Sequence, residues 1–238
     1  DGTVEYGRLE CRRGEYNKQP YGYPYLLSVA YRLLGVHDWI AHGINIISAV
    51  LLVWVVFLLT SALFSDARAG AFAGFIAALI PQQLLWSHTA TSEPSAALIS
   101  AMAVLTAVYF VRAKTTSALL WVVTATAFAV QFRPESVLVV PVVAVVMALH
   151  TQEEFRRSRF WWASLLGLVL CAVYIGHMFA VRNEGWGAAA DRMSLAFFWS
   201  NLQVNGGFYL WDGRFPVSYS ALAILGFVSR PTRATIVA

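Results

Sequence analysis

The chain has 238 residues, of which 58% are hydrophobic and 13% charged, with a net charge of +4 and a mean hydropathy of +0.60. Soluble domains carry about 25% charged residues, so too little polar surface is present to cover a globule in water, and a soluble enzyme or binding module is excluded. The basic residues lie scattered between apolar blocks and form no stripe, which excludes a nucleic-acid interface.

In chain order, residues 1–17 are polar, with Val4, Leu9 and Tyr16 as sparse apolar marks at helical spacing. The run Gln19-Pro-Tyr-Gly-Tyr-Pro-Tyr25 punctuates the chain, and 26–34 then predicts a short amphipathic helix stopped at Gly35, with Tyr25, Tyr31 and Arg32 suited to the headgroup region. Residues 1–39 therefore read as an outer loop carrying amphipathic surface helices. A spanning helix needs about 20 apolar residues. Residues 40–64, 68–86, 94–111, 117–132, 136–149, 161–181 and 216–228 are candidates, so 40–238 reads as a transmembrane domain of about seven spans. The expected fold is an all-α, polytopic transmembrane helical bundle. Asp1 is not an initiator Met and the last apolar stretch stops at Ala238, so the chain is expected to be a piece of a longer protein. Cys11 and Cys171 sit in unlike contexts and are not expected to pair, and no Cys or His spacing suits a metal.

Orientation follows from the placement of the bases. Arg68, Arg112, Lys114, Arg156, Arg157, Arg159, Arg230 and Arg233 alternate to one side, accompanied only by Asp66, Glu153 and Glu154. The positive-inside rule makes that side cytoplasmic. The opposite side holds the long connections and most acids, including Asp1, Glu5, Glu93, Glu135, Glu184 and Asp212. The protein is expected in a bacterial inner (plasma) membrane, with its site on the outer face.

The acids on that face are the first candidates for chemistry. Asp1 and Glu5 are spaced i, i+4 and would share a helical face. Glu93 in His88-Thr-Ala-Thr-Ser-Glu93-Pro94 and Glu135 in Arg133-Pro-Glu-Ser136 both open predicted spans. Each also reads as an acid favoured by the helix dipole beside a first-turn Pro. Lys18, at the edge of the Pro/Tyr turn that contains Tyr21, and Arg133 are cations able to hold a phosphate. Arg133 reads equally as the ion-pair partner of Glu135 or Glu93. His88 is a base or ligand candidate, or an interfacial hydrogen-bonder beside Trp86. Trp186, Trp199, Tyr209 and Trp211 offer faces for a sugar, or anchor the interface.

Several of these stretches match a known pattern. Residues 1–6, the run Lys18-Gln-Pro-Tyr-Gly-Tyr-Pro-Tyr-Leu-Leu27 continuing to Tyr31-Arg-Leu-Leu-Gly35, residues 87–94 and residues 132–136 resemble the N-terminal half of C-type glycosyltransferases. The chain is most similar in this respect to the dolichyl-phosphate-mannose protein mannosyltransferase and aminoarabinose transferase branch. The pattern covers about the first 150 residues. It departs from the family in spacing Asp1 and Glu5 apart where an adjacent acidic pair is usual, and in placing Glu93 where Asp is commoner. The resemblance implies a membrane enzyme that moves a sugar from a polyprenyl-phosphate carrier to an acceptor on the outer face. It implies Asp1, Glu5 or Glu93 in the catalytic role, with Lys18, Tyr21, His88, Arg133 and Glu135 binding substrate; the sequence itself assigns no cofactor and no metal ligand. The partners implied are the polyprenyl-phosphate-sugar lipid, the membrane and further membrane subunits. The competing expectation is a catalytically silent subunit that keeps the scaffold to bind lipid or a partner. A solute transporter fits less well, because its polar groups belong at mid-span.

Overall fold

The computed structural model describes residues 2–5, 8–11, 20–180, 195–212 and 215–228. The architecture is all-α and polytopic, with a short strand pair at its N-terminal edge. Among the described residues three helices are long and apolar enough to cross a membrane: α2 (Asp38–Phe64), α5 (Glu93–Ala113) and α8 (Ser158–Ala180). The bent pair α3 (Ala67–Ala78) and α4 (Pro81–Ser87) adds a fourth if taken as one span. Two shorter apolar helices, α6 (Thr116–Ala129) and α7 (Val139–His150), complete the packed bundle; a 3₁₀ turn, Pro134–Leu138, leads into α7.

The strand pair corrects the expectation for the first residues. Gly2–Glu5 (β1) and Arg8–Cys11 (β2) pair antiparallel, with Val4 opposite Leu9 and Glu5 opposite Arg8. The helical spacing of Val4 and Leu9 does not hold, because β-branched Thr3 and Val4 favour extended backbone and the sequence offers Gly7, a turn-forming residue type, shortly after them. Glu5 therefore lies in a strand and on no helical face, and Asp1 lies outside the described residues. The surface helix that follows is present as α1 (Gly22–Leu34), four residues longer at its start than predicted, and Gly35 at φ 85° ends it.

The predicted span 68–86 is broken, its halves bent by 60°. Pro81 opens α4 without an N–H to donate, and Ile80 before it is extended at φ −64°, ψ 119°. The segment between the predicted spans 161–181 and 216–228 contains α9 (Leu195–Leu210). Eleven residues from Leu195 to Asn205 carry neither Gly nor Pro, so nothing local stops a helix there. The stretch predicted to begin a last span is α10 (Val217–Val228).

The bundle is organised around α5, whose most apolar window is 50% buried, against 11% for α8. Ala103 and Ala107, one turn apart on α5, are fully buried with Phe110 against α6, and Val143 and Met147 of α7 close the same core. On the other flank Gly70 and Gly74 let α3 lie directly on α2. A Cβ at Gly70 would come within 2.6 Å of the Phe57 carbonyl oxygen and collide with the Ser61 hydroxyl. Small residues at i, i+4 are how helices approach closely in lipid, where the hydrophobic effect does not drive them together.

The two ends of the bundle are chemically distinct. At one end Arg112 donates to the Ala62 carbonyl, Lys114 pairs with Glu153 at 2.5 Å, and the fully buried Glu154 is held by Arg159 at 2.6 Å and Arg157 at 3.2 Å. Lys114 holds the Glu153 carboxyl below its usual range. These partners tie the ends of α2, α5 and α8 together. The N-terminus of α5 lies at the opposite end.

Candidate active site

Glu93 is the first residue of α5, followed by Pro94. Proline is tolerated at this position because its missing N–H would have no partner in the first turn. Arg133 follows α6 in an extended conformation, φ −148° and ψ 151°, as a residue before proline prefers. These two local constraints bring a helix start and a helix exit, 40 residues apart, to one point. The Arg133 guanidinium donates through Nη1 to Glu93 Oε1 at 2.7 Å and through Nε to Glu135 Oε2 at 3.2 Å. The Arg133 and Glu93 side chains are 31% and 28% exposed, whereas Glu135 is 68% exposed. Arg133 is thus an ion-pair partner of both acids the sequence offered. The Glu93 contact is the short, sheltered one and the Glu135 contact the open one. Glu93 Oε2 is buried without a hydrogen-bond partner.

The loop before Glu93 is fixed from α2. Asn45 is fully buried and donates its amide to the carbonyls of Thr89 and Thr91, the latter at 2.8 Å. The Ser48 and Ser95 hydroxyls lie 3.0 Å apart in the same interface, and His42 Nδ1 lies 3.1 Å from the His88 carbonyl oxygen. His42, Asn45 and Ser48 are spaced three apart and form a polar stripe in the first half of α2. Sequence reasoning passed over Asn45, although a neutral amide inside a spanning segment is itself a signal that it must find partners.

The start of α1 covers the other flank. The Gly22 N–H donates to the Gln131 carbonyl at 2.6 Å, and a Cβ at Gly22 would sit 2.5 Å from that oxygen. Only glycine permits this approach. It places Pro20, Tyr23 and Pro24 in a cavity of about 310 Å³ shared with Thr91, Glu93 and Phe132. Burial pushes the Tyr23 phenol above its usual value; the Asn45 side chain opposes this and the Glu93 charge adds to it. Tyr21, the tyrosine named from sequence, instead meets the buried His177 edge-on at 4.6 Å.

A larger cavity, about 760 Å³, opens on the far side of the ion pair. Its charged end holds Glu93, Arg133 and Glu135. Its walls continue along α5 and α7 through Val104, Val139 and Val142, mostly apolar but with Ser100 among them, and Asn205 and Tyr209 of α9 reach it. With one guanidinium and two carboxylates, the charged end has a formal charge of −1.

The sequence candidates therefore separate. Glu93, Arg133 and Glu135 meet directly. The His88 side chain is exposed, and its carbonyl makes the contact to His42. Glu5 lies in β1, where only the backbone is described; Asp1 and Lys18 lie outside the described residues. Among the described residues no group of three or more His, Cys, Asp or Glu is placed to hold a metal ion.

No curated protein and no solved structure matches the chain significantly. A family model described as dolichyl-phosphate-mannose-protein mannosyltransferase matches residues 18–177, a stretch that contains the Pro/Tyr turn, Glu93, Arg133 and Glu135 and excludes Asp1 and Glu5. With well over half of its length matched, the chain belongs to the dolichyl-phosphate-mannose-protein mannosyltransferase family and is an integral membrane protein of a glycosyltransferase family.

Proposed function

We propose that this chain takes part in sugar transfer from a polyprenyl-phosphate carrier to an acceptor hydroxyl at the outer face of a bacterial inner membrane. One observation carries the reading: the sheltered Arg133–Glu93 pair stands at the charged end of a cavity whose walls run on mostly apolar along α5 and α7. A lipid phosphate needs that combination, a fork-shaped cation for its oxygens and an apolar track for its chain. In the reaction, the acceptor oxygen attacks the anomeric carbon as the bond from that carbon to the phosphate oxygen breaks. The acceptor proton passes to a carboxylate, Asp1, Glu5 or Glu93, and the polyprenyl phosphate leaves with the bonding pair and its negative charge.

The local charge of −1 sets a condition on phosphate binding. Glu135 is open to solvent and 3.2 Å from Arg133, so it is the acid that an incoming phosphate displaces, while Glu93 keeps its contact. Lys18 is the further cation assigned to the phosphate.

The engagement of Arg133 by two carboxylates also suits the silent-subunit reading, in which the triad only braces the fold. Arg133 variants separate the two. Arg133→Ala is expected to weaken polyprenyl-phosphate binding by about 30-fold or more and Arg133→Lys by less, since Lys keeps the charge and loses the fork. Binding to the purified protein in nanodiscs measures both. Folded variants that bind as well as the parent would point to the bracing role.

Outer-face placement rests on the basic connections at the opposite end, Arg112, Lys114, Arg156, Arg157 and Arg159. A single cysteine at Ser92, in a chain lacking Cys11 and Cys171, is expected to react with an impermeant thiol reagent on intact cells. Reaction at Thr116 with protection at Ser92 would reverse the assignment.

A further inference from the structure

A cleft of about 350 Å³ lies between α6, α7 and α8 and shares no lining residue with the cavity at Arg133. α6 packs against both α7 and α8, which flank the cleft. Of its lining side chains only Thr126, Ser164 and Cys171 carry a hydroxyl or thiol, and the Ser164 hydroxyl donates to the Phe160 carbonyl at 2.9 Å. Ala144 of α7 and Leu168 of α8 line it and are exposed, so it opens on the medium around the bundle. Along α8 the lining runs from Phe160 to Cys171, about 16 Å at roughly 1.5 Å per residue. That is about half of a hydrocarbon core roughly 30 Å thick, the depth of one leaflet. The shallow end is basic. Phe155 and Phe160 line it, and the residues between them include Arg156, Arg157 and Arg159. Exposed Trp161 and Trp162 follow at once, as suits a membrane boundary. Arg159 is committed to Glu154 and to the Lys114 carbonyl. Arg157 is 56% exposed and reaches Glu154 at 3.2 Å, and Arg156 is exposed with no ion pair among the described residues. Lys114 and the three arginines, against Glu153 and Glu154, give this end a formal charge of +2.

We propose that this cleft holds one acyl chain of an anionic phospholipid from the leaflet on the basic side, with the lipid phosphate on Arg156 and Arg157. Two features together set the occupant. An apolar cleft one leaflet deep takes a single chain whose headgroup stays at the boundary, and guanidiniums at its shallow end select a negative headgroup over a neutral one. Glu153, the exposed acid in the same turn, is neutralised by Lys114 at 2.5 Å, so it does not cancel that selection. The polyprenyl carrier is a different ligand, since the phosphate site proposed for it lies at Arg133, at the opposite end of the bundle. The phospholipid site is independent of the transfer reaction. With the orientation proposed above, its leaflet is the cytoplasmic one.

The test uses the whole chain, lacking Cys11, in detergent and titrated with dioleoyl phosphatidylglycerol or dioleoyl phosphatidylcholine. Native mass spectrometry counts bound lipid, and a membrane-permeant maleimide reports on Cys171 at the deep end of the cleft. Phosphatidylglycerol is expected to bind more tightly than phosphatidylcholine and to slow Cys171 labelling at lower concentration. Arg156→Gln is expected to lower the phosphatidylglycerol affinity about fivefold while leaving phosphatidylcholine unchanged, and Arg156→Lys to keep most of it. Ala144→Phe fills the cleft from its open side and is expected to weaken both lipids and to abolish their protection of Cys171. Melting of the lipid-free protein is the folding control, and Leu168→Trp takes its place should Ala144→Phe not fold. Equal affinity for the two lipids, or an Arg156→Gln variant that binds like the parent, would mean a cleft filled by bulk lipid and no site. Displacement of phosphatidylglycerol by bare polyprenyl phosphate, lost in Arg133→Ala, would give the cleft to the carrier's tail instead. Phosphatidylglycerol binding is expected to be unchanged in Arg133→Ala, so failure of the transfer reading leaves this site standing.

Discussion

Replacement of Glu93 by Gln is expected to lower sugar transfer by about 100- to 10,000-fold, the range lost when a positioned carboxylate no longer exchanges a proton with the reacting group. The substitution keeps the side chain's length and leaves an oxygen to accept from Arg133 Nη1, so the melting temperature in detergent is expected to change little. Glu93→Ala is different. It leaves Arg133, itself about two-thirds buried, with only the exposed Glu135 as counter-ion, and stability is expected to fall along with activity. Initial rates with a polyprenyl-phosphate sugar, measured beside Asp1→Asn and Glu5→Gln, apportion the role. A nearly wild-type Glu93→Gln with an inactive Asp1→Asn or Glu5→Gln would make Glu93 a counter-ion for Arg133 and move the base to the N-terminal segment. Full activity in all three would leave the reaction without a carboxylate base and favour the silent-subunit reading.

The second large effect is expected at Asn45, which holds the loop before Glu93 from α2. Asn45→Ala removes both donors to the loop at 89–91 and leaves a void in the interface between α2 and α5. Unmet carbonyls and the cavity together are expected to cost roughly 2–4 kcal/mol. The loop ends one residue before Ser92, the cap of α5, so its release also frees Glu93. Asn45→Asp keeps the volume but offers the two carbonyls only acceptors, and it is expected to fare no better. Thermal unfolding in detergent and transfer rates report the two consequences. An Asn45→Ala variant that melts and turns over like the parent would show that the Ser48–Ser95 contact and the His42–His88 contact hold the loop without it.

The membrane bundle was legible from sequence because lipid imposes a simple rule: every backbone polar group must be satisfied within its own segment, so long apolar blocks become helices. The blocks at 40–64, 94–111 and 161–181 are found as α2, α5 and α8 for that reason. Proline marked the helix starts at Pro94 and Pro134, and the acids beside them, Glu93 and Glu135, followed as candidates with Arg133. The same proline logic was available at Pro81, where hydropathy alone ran one span through a 60° bend. At the N-terminus the reading failed because sparse apolar marks fit a helical period by chance, while Thr3, Val4 and Gly7 carried the local preference for a hairpin.

Pairing is a different kind of information. Three readings of Arg133 were open from its residue type, and nothing in a one-dimensional pattern ranks Glu93, 40 positions away, against Glu135, two positions away. The nearer acid makes the longer and more exposed contact, because the extended backbone before Pro134 directs the guanidinium toward the start of α5. Likewise Asn45 and Tyr23 acquire meaning only from what α2 and α1 place beside them. Composition and periodicity dictated the solvent, the helices and the chemical types available, since these depend on local backbone satisfaction and transfer from water. Which carboxylate meets the cation, and which of its oxygens stays unpaired, depended on close approaches such as Gly22 on Gln131, where the fit of whole helices decides a matter of a few ångströms.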